Sequence, residues 1–167
     1  SLSPFYKEHS NEEIYINTLE KSIPLNSFLR KILSLFHLFL KFHFIYDLMF
    51  VTEGKLYEKG DSFYLIYEES EFSGMPGCKT SLKLTPESIR MKRIGGEAFG
   101  MEFVFEKGKR FQSSYRTPYG IFDMEVLTNN VVNNLSPEGT GDIFIDYHVS
   151  LSGMTEGRNC LSIEVTQ

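Results

Sequence analysis

The sequence predicts an all-β protein: an antiparallel up-and-down barrel of about eight to nine strands, preceded by an atypical, partly helical N-terminal extension. Three observations predict it. From Val51 onward, apolar and polar residues alternate in short runs. Gly, Pro, Asn and Asp separate those runs. The connections are also short, which forces neighbouring strands to run antiparallel.

Strands are expected over 51–59, 62–70, 78–84, 88–94, 100–106, 109–117, 119–128, 141–152 and 158–166. The turns between them are marked by Lys59-Gly60-Asp61, Thr85-Pro86-Glu87, Gly95-Gly96, Lys107-Gly108, Pro118-Tyr119-Gly120 and the stretch from Gly153 to Gly157. A meander of this many strands removes its exposed edges by curling up, and a calycin- or lipocalin-like barrel fits the size. Period-2 alternation assigns the inner face to Phe63 and Leu65; Leu82 and Leu84; Ile89 and Met91; Met101, Phe103 and Phe105; Phe122, Met124 and Val126; Ile143, Ile145, Tyr147, Val149 and Leu151; and Leu161, Ile163 and Val165. The outer face takes Lys83, Lys92, Glu102, Glu125, Asp142, Asp146, Ser150 and Glu164.

The opening stretch follows different rules. Residues 28–50, "FLRKILSLFHLFLKFHFIYDLMF", are strongly apolar, yet Arg30, Lys31, Lys41 and Asp47 interrupt them. The uncharged run from Ile32 to Leu40 is far shorter than the ~20 residues a bilayer span needs. No small-residue cleavage pattern follows it, so it does not read as a signal peptide. Arg30, Ser34, His37 and Lys41 draw one narrow polar stripe on a helix, and Asn26 or Ser27 caps its start. From Leu40 the alternation turns strand-like.

All 13 glycines lie at Gly54 or later, whereas average usage of about 7% would place roughly four in the first 53 residues. Three readings of this stretch stand side by side: a helix packed on the domain, a frame error or misassigned start, and a membrane or partner contact. The chain opens with Ser1 rather than Met, as a piece of a longer reading frame would. The expected division is an atypical extension over 1–46, helical at 27–39, and a single barrel domain over 47–167.

The 167 residues suffice for one core. A net charge of −5 and a pI near 5.4 argue against nucleic-acid binding through phosphate contacts, which needs a basic face. Cys78 and Cys160 form no paired motif and suggest a reducing, cytoplasmic setting. His9, His37, His43 and His148 have no Cys or acid at ligand spacing, so no metal and no cofactor is expected.

The chemistry worth following lies at one end of the meander. Extending the inner faces to their ends brings Tyr67 and Glu69 from one strand, Thr80 from the next, Arg93 from the third and Tyr115 from a later one to the same mouth. Tyr119 opens the following strand there. One reading is a pocket with apolar walls below and oriented polar groups above, Arg93 holding a carboxylate or phosphate. The other is a plug, in which Glu69 and Arg93 pair and close a filled barrel.

Weaker candidates fall away. In Tyr67-Glu68-Glu69-Ser70-Glu71 the acids do not share one cleft, as paired acid/base catalysis requires. Gly74-Met75-Pro76-Gly77 lacks the lysine and the helix of a phosphate loop. Ser113 or Ser114 beside His148 lacks a nucleophile elbow.

Several segments together carry a resemblance. "VTEGKLYEKGDSFYLIYEESEFSGMPGCKTSLKL", "RIGGEAFGMEFVFEKGKR", "YRTPYGIFDMEVLTN" and "GDIFIDYHVSLSG" resemble the YwiB-like family of Firmicutes, a domain-of-unknown-function family. The resemblance runs from about Asp47 to the C-terminus and implies a calycin-like barrel. Its recurring positions include Tyr67, Glu69, Gly74, Met75, Gly77, Thr80, Arg93, Gly95, Tyr115, Thr117, Pro118, Tyr119, Gly120 and Thr128, and it brings no catalytic residues to transfer. Family members open with a short strand and an acidic loop. Here Glu13 to Asn17 is the stretch that can substitute for that strand, with the helix as an insertion.

Two functions follow as expectations. The first is a barrel that binds a small acidic or amphipathic ligand at Tyr67, Glu69, Thr80, Arg93, Tyr115 and Tyr119. The second is a filled barrel acting as a protein-interaction module, with neither ligand nor catalysis. An enzyme is not expected, and neither is a nucleic-acid or membrane partner. A homodimer is compatible with the sequence.

Overall fold

A computed structural model of the protein describes residues 7–21, 48–69, 77–95, 100–117, 120–152 and 155–166. All of its regular structure is strand: β1 (Lys7–Lys21), β2 (Leu48–Lys59), β3 (Ser62–Glu68), β4 (Cys78–Leu84), β5 (Ser88–Gly95), β6 (Met101–Glu106), β7 (Arg110–Thr117), β8 (Gly120–Asn133), β9 (Gly141–Leu151) and β10 (Thr155–Thr166). They form one antiparallel sheet in the order β6-β5-β4-β3-β2-β1-β10-β9-β8-β7. Every consecutive pair is hydrogen-bonded except β6 and β7, and the first strand joins the last.

The all-β antiparallel class is therefore right, with two corrections. The described residues hold ten strands rather than eight or nine. The additional one is β1, which contains Glu13 to Asn17 and pairs with β2 on one side and β10 on the other. Second, β8 continues to Asn133, past the expected end at 128. The Asn129-Asn130 pair reads as a turn, but a register shift between Thr128 and Asn130 absorbs the extra residue as a bulge and the ladder resumes. Among the described residues no hydrogen-bonded ladder joins β6 to β7. The two strands nevertheless come alongside one another, and β6 also approaches β8. The helix expected at 27–39 lies outside the described residues. Among the described residues, no helix is long and apolar enough to cross a membrane.

The inner faces stack in register. One row runs Phe63, Leu84, Ile89, Phe105 across β3 to β6, the next Leu65, Leu82, Met91, Phe103, and the third Tyr67, Thr80, Arg93, Met101. The first two rows are apolar, and the third is where polarity enters. Residues from β2 to β6 and from β8 to β10 share one core cluster, which includes Leu56, Leu82, Phe105, Val126, Ile145 and Ile163. The Phe105 ring lies 4.9 Å from that of Tyr147 on β9, so the two halves of the sheet meet across the core. Each fully buried Leu, Ile or Phe contributes roughly 1.5–3 kcal/mol to this packing.

β1 is central, so a proline there removes a ladder hydrogen bond that no edge position excuses. Ile16 stands opposite both Ile163 and Phe50. Ile16→Pro is expected to destabilise the protein by about 2 kcal/mol or more in urea unfolding. Unchanged stability would show that β1 is not an interior strand.

Candidate functional site

The mouth cluster is assembled by register. Tyr67 on β3 stands opposite Thr80 on β4, and Thr80 opposite Arg93 on β5, with side chains on the inner face. Glu69 follows the end of β3, and its backbone N–H donates to the Cys78 carbonyl at 2.9 Å, which carries the alternation one residue further. The next strand is braced at Gly95. Its φ of +92° favours glycine, and a Cβ there would come within 2.9 Å of the Gly77 carbonyl oxygen. The Cys78 thiol donates to the Gly95 carbonyl at 2.9 Å and pins the same corner.

The Glu69 carboxylate is almost wholly buried, 2% exposed. A buried carboxylate needs partners. The Thr80 hydroxyl donates to Glu69 Oε1, and Arg93 Nε lies 3.4 Å from that same oxygen. The geometry of the second contact is ionic only, because Arg93 Nε is buried and makes no hydrogen bond. The Arg93 side chain keeps 22% of its surface exposed. Among the described residues, its two terminal nitrogens have no hydrogen-bond partner.

Tyr67 is buried beside this group. Burial, followed by the Glu69 carboxylate, pushes its hydroxyl above the ordinary tyrosine value, and Arg93 only partly offsets them. Tyr67 therefore stays a neutral O–H donor throughout the working range of pH.

The structure thus brings together Tyr67, Glu69, Thr80 and Arg93. Tyr115 stands opposite Phe122 on β8 by its backbone, and its side chain lies outside the description. Tyr119 lies outside the described residues, as do Gly74, Met75 and Pro76. An open groove of about 590 Å³ meets the cluster at Tyr67 and continues past Gly54 to Lys55, Ile66 and Lys79 on the outer side. Among the described residues, no three His, Cys, Asp or Glu side chains gather as a metal site.

Two features escaped the sequence reading. Thr128, named from the sequence only as a recurring position, is fully buried on the inner face after Met124 and Val126, and among the described residues its hydroxyl has no partner. Its signal was a polar residue at an inward position of the alternation. The other is a clamp on the outer face. Asp146 accepts from Arg158 Nε at 2.9 Å and Nη2 at 2.7 Å, and from the Asn129 amide at 3.1 Å. The β8 bulge is what brings Asn129 to it. The Arg158 hydrogen bonds hold the Asp146 carboxyl below the usual carboxylate range, against the opposing effect of burial.

The fold and the cluster define an antiparallel β protein whose single apolar core ends in a half-paired arginine and a buried acid. The chain belongs to the family described as Domain of unknown function (DUF1934), whose model matches residues 46–163. The resemblance drawn from the sequence segments is thereby borne out. Among solved structures, the ywiB protein from Bacillus subtilis is similar, with a TM-score of 0.72 over 97% of this chain and 94% of that one. At 19% identity, the likeness is one of fold. No curated protein matches the chain.

Two outcomes are expected from stability measurements. Glu69→Gln and Arg93→Met are each expected to cost about 2 kcal/mol, and the double replacement about 1–2 kcal/mol less than their sum, read from urea unfolding. Additive losses would show that the two side chains are not coupled.

The second concerns pH. Asp146 has a depressed folded-state value, so its contribution is complete above the unfolded carboxylate value and lost as pH falls through the folded one. Arg158→Ala is expected to cost about 1 kcal/mol at about pH 7 and close to nothing at about pH 2. An equal loss at both would rule out the carboxylate as the partner that matters.

Proposed function

We propose that the protein is a calycin-like barrel that holds a small acidic or amphipathic molecule at the mouth formed by Tyr67, Glu69, Thr80 and Arg93, with Tyr115 and Tyr119 completing the rim. The observation that carries this reading is the half-used guanidinium. Glu69 approaches Arg93 on its Nε side alone, and among the described residues the terminal nitrogens have no hydrogen-bond partner. A planar fork of donors in that position suits a carboxylate or a phosphate. Tyr67 supplies a neutral donor beside it, and the apolar rows below suit an apolar body. The barrel reading is supported by the meander order, by the pairing of the first strand with the last and by the approach of β6 to β7.

The same reading makes the protein a binder rather than an enzyme. It needs no cofactor, nucleic acid or membrane. Two free cysteines fit a cytoplasmic setting.

A second reading has its own observation. Ile94 and Ile121 are large apolar side chains, 60% and 62% exposed, at the mouth end of β5 and β8. They favour a filled barrel working as an interaction module through its outer surface.

Native mass spectrometry of the protein purified from its own host separates the two readings. The binding reading expects a small-molecule adduct that Arg93→Ala loses and that Arg93→Lys, which keeps the charge without the fork, weakens. An adduct-free mass, or an adduct retained in full by Arg93→Ala, would overturn it.

A further inference from the structure

The sheet ends at β6 and at β7, and among the described residues no further strand is laddered to either. The turn between them holds the two out of phase. Lys109 N–H donates to the Glu106 carbonyl at 2.9 Å, which sets Glu106 opposite Lys109, and the same register would set Val104 opposite Phe111. Lys109, however, turns its own carbonyl to β8, where it accepts from Thr128 N–H at 3.1 Å. Residues that exchange bonds alternate along an antiparallel ladder. Phe111, Ser113, Tyr115 and Thr117 therefore spend their backbone groups on β8, and Arg110, Gln112, Ser114 and Arg116 point theirs away from it. Phe111 has no backbone group left for Val104, so the turn does not zip into a ladder.

Free edges in native proteins are commonly guarded by charges, prolines or bulges. On β6, Glu102 and Glu106 alternate along the outer face. β7 has no such guard at its centre, where Phe111-Gln112-Ser113-Ser114-Tyr115 holds no charge, no proline and no glycine. Arg110 is drawn back to Glu125 on β8, and the Gln112 amide donates to the same carboxylate at 3.2 Å. Ser114 is exposed, and Phe111 and Ser113 are only half-buried, whereas Met101, Phe103 and Phe105 on β6 are buried.

We propose that β7 is an interface for a second copy of this chain, the two β7 strands pairing antiparallel about a two-fold axis at Ser113. Backbone groups aimed outward at every second residue fit another extended strand. A two-fold contact also requires a self-complementary surface, which β7 supplies. Centring on Ser113 sets Gln112 of each copy opposite Ser114 of the other and Arg110 opposite Arg116, so every outward-pointing residue of β7 meets a partner in phase. Centring on Gln112 or on Ser114 leaves Arg116 or Arg110 without one. The axis residue is a small serine, and Gln112 and Ser114 are a pair that can hydrogen-bond across the outer face. The like charges at the ends are eased because Arg110 already has Glu125. The contact needs no ligand at the mouth.

Analytical ultracentrifugation of the full chain over a dilution series tests this. The wild type is expected to sediment as a dimer at high concentration and to dissociate on dilution. Ser114→Pro removes an outward N–H and leaves the β8 ladder intact. It is expected to raise the dissociation constant at least about tenfold with an unchanged circular-dichroism spectrum. Gln112→Lys with Ser114→Lys sets like charges opposite one another on both sides of the axis and is expected to weaken the dimer about tenfold. Gln112→Lys with Ser114→Glu sets opposite charges there and is expected to restore it.

A chain that stays monomeric at every concentration overturns the proposal, and so does a dimer that folded Ser114→Pro leaves unchanged. If Ser114→Pro does not fold, the two charge variants decide. Equal dissociation constants for them would place the contact elsewhere and overturn the pairing at β7.

Discussion

The structure depends on one doubly paired strand. β1 is hydrogen-bonded to β2 along one edge and to β10 along the other, and through it alone the sheet is continuous. Without β1 the strands β2 to β6 and β7 to β10 would be separate sheets, each with an apolar face and one more open edge. With it, the two apolar faces turn towards one another, and residues from both halves share a single core. The pairing is also the most demanding in the molecule, since it joins Glu13 to Thr166 across almost the whole chain. Contacts of such sequence separation carry a large loop-closure cost and form slowly.

Closing the meander through its terminal strands leaves the remaining joint elsewhere, between β6 and β7. No ladder crosses it among the described residues. What holds it is side-chain packing, including the tilted contact of Phe105 with Tyr147, and the two backbone bonds from Thr128 to the Gly108 and Lys109 turn. The β8 bulge lies immediately after Thr128, where the strand leaves one pattern of pairing for another. Bulges commonly re-aim a side chain where a ladder is interrupted. Here the bulge turns Asn129 outward to Asp146 and leaves Thr128 facing in.

The sequence made the mouth legible because two simple rules compound. Alternation says which residues face inward, and a meander says which strand ends coincide. Together they placed Tyr67, Thr80 and Arg93 side by side and Glu69 just above them, where they stand. The rules failed wherever the chain broke its own period. Asn129-Asn130 has the chemistry of a turn, and only the tertiary pairing with β9 makes it a bulge inside a longer strand. β1 carries a register shift between His9 and Glu12, so its alternation is blurred to the eye and only its Glu13 to Asn17 portion reads as strand. The position of the open joint was not legible at all, because Lys107-Gly108 is as good a hairpin signal as the turns that do form ladders.

The two buried charged groups show how differently the same pair of residue types is used. On the outer face, Asp146 has three hydrogen bonds and Arg158 gives it a two-pronged contact, so the charge is answered and the pair is structural. At the mouth, Glu69 is the more deeply buried acid, yet Arg93 approaches it at 3.4 Å through Nε, which makes no hydrogen bond among the described residues. A pair kept for stability alone would be expected to resemble the first, since the desolvation of both charges is recovered only when the geometry is complete. Arg93 is held near an acid without being saturated by it, and among the described residues its terminal nitrogens have no hydrogen-bond partner. That difference, between a clamp that is finished and one that is not, is what the proposed function rests on.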